Sequence, residues 1–143
     1  MREVFSQALG LPPAAVQWLL DLWVVIQTFD DVVDGDQPTR ENMRHAILLS
    51  LVNMPGNPFF LSNAHTLLPL MTTAVLKWVA SDDAERAGEA SEQSYMWRAA
   101  YYDIVLMVVL LCRGPEYAMG AAKQVLSLYG EPFEAYRKEF ENA

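Results

Sequence analysis

Cysteine is almost missing from this 143-residue chain: Cys112 stands alone, so no intramolecular disulfide can staple the fold. Its neighbours Val109, Leu110 and Leu111 predict a buried, inert thiol, which fits a reducing cytoplasm. Cations are scarce as well. Lys+Arg total 10 against 18 Asp+Glu, a net charge of −8, and the ten are dispersed. Without a basic cluster to displace counterions, binding of nucleic acid or of an anionic membrane through a basic face is excluded. The amino-terminal run Met1 to Gln7 carries Glu3 where a signal peptide begins its apolar stretch, so secretion is not expected. Strand-like alternation, internal repeats, low-complexity tracts and long linkers are also lacking, which leaves a single helical domain over residues 1–143 as the expectation.

What the chain does have is apolar mass, 52% of residues, with 11% aromatic. A chain of this size buries roughly two thirds of its unfolded surface, so that mass suffices for a core. Proline and glycine cluster between helically periodic segments and predict an all-α bundle of about six helices. One helix runs from Pro13 to about Asp34, stopped by Gly35-Asp36-Gln37-Pro38. Thr39 caps the next, Arg40 to about Val52, and Asn57 caps the restart at Phe59-Phe60. Ala64 to Ala80 follows with a kink at Pro69, and Ser81-Asp82-Asp83 reads as the start of a new helix. That helix is expected to be the long central one, about 82–112, near 45 Å, ending at Arg113-Gly114-Pro115. Tyr95 to Cys112 approaches the length of a membrane span. Arg98 and Asp103 inside it are costly in a bilayer, so a buried bundle helix is the better expectation, with no membrane. Two short helices, about Glu116–Leu128 and Pro132–Glu141, close the chain.

The carboxylates are patterned. On the first helix Trp18, Leu22, Val25, Ile26, Phe29, Val32 and Val33 form one apolar face, while Gln27, Asp30, Asp31 and Asp34 converge on the other. Leu20, Trp23 and Val24 extend that second side, with Trp23 a candidate pocket wall. On the expected long helix Glu85, Glu89, Glu92, Met96, Ala99 and Asp103 share about 60° of helical arc, and Asp103 is expected to be buried. Two acidic helices in one bundle predict a shared Mg²⁺ or Mn²⁺, since hard cations take oxygen ligands and are completed by substrate phosphates. Asp30, Asp31, Asp34 and Glu89 are the candidate ligands. Glu92 and Asp103 are candidate contributors from the facing helix, and Gln27 would orient a ligand or a water. Arg40 and Arg44, one turn apart, could hold phosphate oxygens.

Gln27-Thr28-Phe29-Asp30-Asp31-Val32-Val33-Asp34 resembles the Asp-Asp-x-x-Asp helix of isoprenoid (terpenoid) synthases, where such aspartates hold Mg²⁺ against a prenyl diphosphate. The nearest stretch to that family's second motif is Ser81 to Glu89, with Ser81 for Asn and Glu85 for Ser. The pair Asp30-Asp31-x-x-Asp34 and Glu89-x-x-Glu92 resembles the all-α nucleoside triphosphate pyrophosphatases, which carry Glu-Glu-x-x-Glu and Glu-x-x-Asp. Asp30 to Asp36 is also similar to an Asp-Asp-x-x-Asp-Gly-Asp turn in small helical proteins of bacteria and prophages, which implies no activity. The enzyme resemblances imply Mg²⁺-dependent chemistry on a diphosphate-bearing small molecule, and a homodimer. A non-catalytic interaction module is the alternative, with Phe59, Phe60, Tyr101 and Tyr102 as its expected exposed surface.

Overall fold

In the computed structural model, which describes residues 1–141, the chain is all-α, with no strand among the described residues. It divides into two compact units, the first Met1–Ala64 and the second from His65 onward.

The first unit opens with a π-helical turn, Val4–Ala8, which turns Phe5 and Leu9 inward. Helix α1 (Pro13–Val33) starts with proline at its first position, where no amide hydrogen is needed. It stops at Asp34 and Gly35, the latter at φ 88. Thr39 caps α2 (Arg40–Leu48), its hydroxyl accepting from the Asn42 amide at 3.1 Å. A π-helical turn, Leu49–Asn53, leads through the short α3 (Met54–Gly56) to Asn57. Asn57 accepts from the amides of Phe59 and Phe60 and donates to the Ala14 carbonyl at 3.0 Å, tying the next helix start to α1. Trp18 is fully buried and stacks on Phe60, ring centroids 5.6 Å apart.

Helix α4 (Pro58–Arg86) is the longest element, 29 residues with non-helical backbone at Asn63. It passes straight through Ser81-Asp82-Asp83, the expected start of a new helix. No breaker stands there. The Ser81 hydroxyl donates back to the Trp78 carbonyl at 2.7 Å and is buried within the helix instead of capping one. The real stop is Gly88, at φ 72, where a side chain would be strained. Ser91 then caps α5 (Glu92–Trp97) in a reciprocal capping box with Ser94. The backbone breaks again around Arg98, so no single helix covers 82–112 and the stripe from Glu85 to Asp103 does not form.

Helices α6 (Tyr101–Arg113) and α7 (Pro115–Leu126) form an antiparallel hairpin, Val105, Val108 and Val109 with Ala118, Ala121 and Val125 lying buried. At 13 residues α6 is about 20 Å long, well short of a bilayer. Cys112 near its end is half-buried, and burial pushes its thiol up from the ordinary value. Gly114 makes the corner at φ 89, ψ 169, a region that only glycine occupies comfortably. Helix α8 (Phe133–Glu141) packs on α5 through Tyr136, which is buried among Tyr95, Phe133 and Phe140.

Two glycines of this hairpin give opposite expectations. Gly114→Ala should lower unfolding free energy by about 1–3 kcal/mol. Gly120→Ala, in the middle of α7 with open space where the methyl would go, should raise it by about 0.5–1 kcal/mol. Urea denaturation of the two variants checks both signs.

Candidate functional site

The acidic residues of the first unit sit on the last turn of α1 and beyond it. Asp31 and Asp34 are exposed, Asp30 is half-exposed, and Asp34 is the helix cap, its amide donating to the Asp30 carbonyl at 2.9 Å. Phe29, Val32 and Val33, expected in the core, are exposed too, because the covered part of α1 ends near Thr28. Gln27 is exposed and Trp23 half-buried. Arg40 and Arg44 lie exposed on α2.

In the second unit Glu89 is exposed in the link after Gly88, and Glu92 is exposed on the first turn of α5. Asp103 is not buried: its side chain is 42% exposed and pairs with Lys77 Nζ of α4 at 2.8 Å. The expected burial assumed a helix apolar all round. In the second unit α4 supplies a cation at that point. Among the described residues no group of three or more His, Cys, Asp or Glu is gathered in a way that could hold a metal ion. No family model, curated protein or solved structure matches the chain.

The polar group that does come together in the second unit was not anticipated. Glu85, at the end of α4, accepts a hydrogen bond from Tyr136 at 3.0 Å, and the same hydroxyl is 2.6 Å from Ser94 Oγ. Arg98 places Nη1 3.5 Å from Glu85 and 3.6 Å from Glu131, with its guanidinium 4.9 Å from the centre of the Tyr136 ring. Tyr95 donates to the Glu131 carbonyl. Burial lifts Glu85 above its ordinary value of 4.5, against the pull of Arg98 and the Tyr136 bond. Burial alone would lower Arg98, but Glu131 and Glu85 more than offset it. Each charge thus faces an opposite one from another element, as a structural clamp requires, while Arg98 Nη1 and Glu131 Oε1 are buried without a hydrogen bond. In sequence, only the polar residues Glu85, Arg98 and Glu131 amid aromatic residues hinted at it.

The other unanticipated feature is the outer face of α4. Taking 100° per residue, Leu67, Ala74, Trp78, Ser81 and Glu85 fall on one side, where Leu67 and Ser81 are almost fully buried. Leu68, Val75, Leu76 and Val79 fall on the other, 50%, 59%, 62% and 39% exposed. The surface expected from sequence is covered instead: Tyr101 and Tyr102 are buried, and Phe59 and Phe60 are half-buried. An exposed apolar stripe of this kind marks an interaction site more often than an ordinary soluble surface does.

Glu85 takes up a proton more readily in the folded chain than in the unfolded one. Its contribution is therefore favourable below the ordinary value of 4.5 and lost as pH rises through the raised folded value. Glu85→Gln should flatten that part of the stability–pH curve. Thermal unfolding of both proteins between about pH 4 and pH 7 checks it.

Proposed function

We propose that this chain is a helical interaction module and that the outer face of α4 is its association surface. The open apolar stripe, on a helix of which only Leu67 and Ser81 are buried among the described residues, carries this reading. A helix apolar on all sides is normally buried on all sides. With roughly 100 Å² exposed on each of the four side chains, covering them is worth on the order of 10 kcal/mol at about 25 cal/mol per Å². The cost of association is estimated at about 4–15 kcal/mol, so the stripe is large enough to matter without forcing irreversible aggregation.

By length and composition α4 is also the one helix among the described residues that could cross a membrane, with mean hydropathy 1.3 over its most apolar window. One observation favours a protein partner over lipid. Lys77, within the apolar stretch, is held by Asp103 of α6, an ion pair that hydrocarbon would penalise. The net charge of −8 would also repel anionic lipid headgroups.

Magnesium-dependent diphosphate chemistry has weaker support. Its proposed ligands Asp31, Asp34 and Glu89 are exposed, and no ligand group is gathered among the described residues. Calorimetric titration of Mg²⁺ into chelator-stripped protein, with and without pyrophosphate, should give no saturable heat. Micromolar binding that Asp31→Asn abolishes would favour the enzyme instead.

The association surface is tested by Val75→Glu combined with Leu76→Glu. Wild-type protein should sediment with increasing apparent mass as concentration rises. The double variant should lose that dependence and keep its helical circular dichroism. Identical sedimentation and identical hydrophobic-dye binding by the two proteins would overturn the proposal.

A further inference from the structure

We infer that α8 is a proton-controlled latch, held against α5 and the end of α4 when Glu85 carries a proton and let go as that proton is lost. Tyr136 is the one buried side chain among the described residues of α8, which is nine residues long. A helix that short does not hold together in water without tertiary packing. Docking and folding of α8 are therefore one event, which opens at lower cost than the α6–α7 hairpin. The anchor of that event meets the end of α4 directly: the Tyr136 hydroxyl donates to Glu85 at 3.0 Å and lies 2.6 Å from Ser94 Oγ.

The charges around Glu85 favour a proton in the docked arrangement. Asp82 faces it from α4 and is already paired with Arg86 at 3.1 Å. Arg98 faces it from the end of α5, and Tyr136 and Glu139 from α8. Glu131 and Tyr129, before α8, reach the same guanidinium. Arg98 is thus shared between Glu85 and Glu131, its Nη1 3.5 and 3.6 Å away and hydrogen-bonded to neither. Two carboxylates share one guanidinium, and Glu139 adds to the excess of negative charge. Glu85, with its side chain 14% exposed, is the more covered of the two, so a proton there relieves repulsion and desolvation together. The hydroxyls satisfy both states. With Glu85 ionised, Tyr136 donates to it. With Glu85 protonated the chain reverses: Glu85 donates to Tyr136, Tyr136 to Ser94, and Ser94 to the Ser91 carbonyl at 3.0 Å, leaving no hydroxyl without a partner. Undocking takes Tyr136 away and returns Glu85 to water. Docking therefore takes up a proton. It is tightest below the value Glu85 has when α8 is away, weakens by at most about tenfold per pH unit as pH rises between the two values, and levels off above the docked one.

Amide hydrogen exchange of the full chain, followed by NMR and corrected for the pH dependence of exchange in unstructured peptides, tests the latch. The amides of Tyr136 to Phe140 should be less protected than those of Val105, Val108 and Val109 at every pH. From the ordinary 4.5 of a glutamate to about pH 7, their protection should fall several-fold. Glu85→Gln, which keeps a neutral donor beside Tyr136, should abolish the fall and leave α8 protected throughout. Glu131→Gln, which leaves Arg98 to Glu85 alone, should shrink it, and serves as the test if the first variant does not fold. Protection in α8 equal to that in α6 would mean that α8 opens only with the whole unit, and would overturn the inference. So would wild-type protection that is absent, level or rising over this range, or a fall of wild-type size in either variant.

Discussion

The main constraint on this molecule is that α4 is largely apolar while its own chain buries only Leu67 and Ser81 of it. Leu67, Trp78 and Ser81 point the way the second unit packs, and Leu68, Val75, Leu76 and Val79 point away from it. A helix of this composition is stable in water only if something else covers the second face, or if the rest of the unit compensates for its exposure. The other half of the second unit is a well-made hairpin. Valines and alanines of α6 and α7 interlock around Gly114, and α8 is drawn onto α5 by an aromatic cluster.

Glu85, Arg98, Glu131 and Tyr136 draw together the end of α4, the link after α5, the segment before α8 and α8 itself. Their charges are compensated across elements that are distant in sequence, so the clamp fixes where α4 ends relative to its neighbours within that unit.

Much of the fold was legible in the sequence. Helical periodicity, Pro13, Thr39, Asn57, Gly35 and Gly114 mark real starts, caps and stops, each because its local chemistry acts within a few residues. The error lay at Ser81-Asp82-Asp83 and Gly88. Serine and aspartate are good caps and also tolerable helix interior residues when, as with Ser81, the hydroxyl turns back to a carbonyl. Gly88 and the Ser91–Ser94 box were the stronger signals. Misplacing that one boundary manufactured the long acidic stripe and buried Asp103, whose partner Lys77 lies 26 residues away and is invisible to local patterning. The apolar outer face of α4 was legible as composition, but which of its sides stays open depends on tertiary packing.

The most direct measurement is methyl NMR with a soluble paramagnetic agent, comparing Leu68, Val75, Leu76 and Val79 with Met119, which is also exposed in the single chain. If α4 is covered by association, the four α4 residues broaden less than Met119 at high protein concentration, and the protection fades on dilution. Equal broadening of all five at every concentration would contradict self-association through α4.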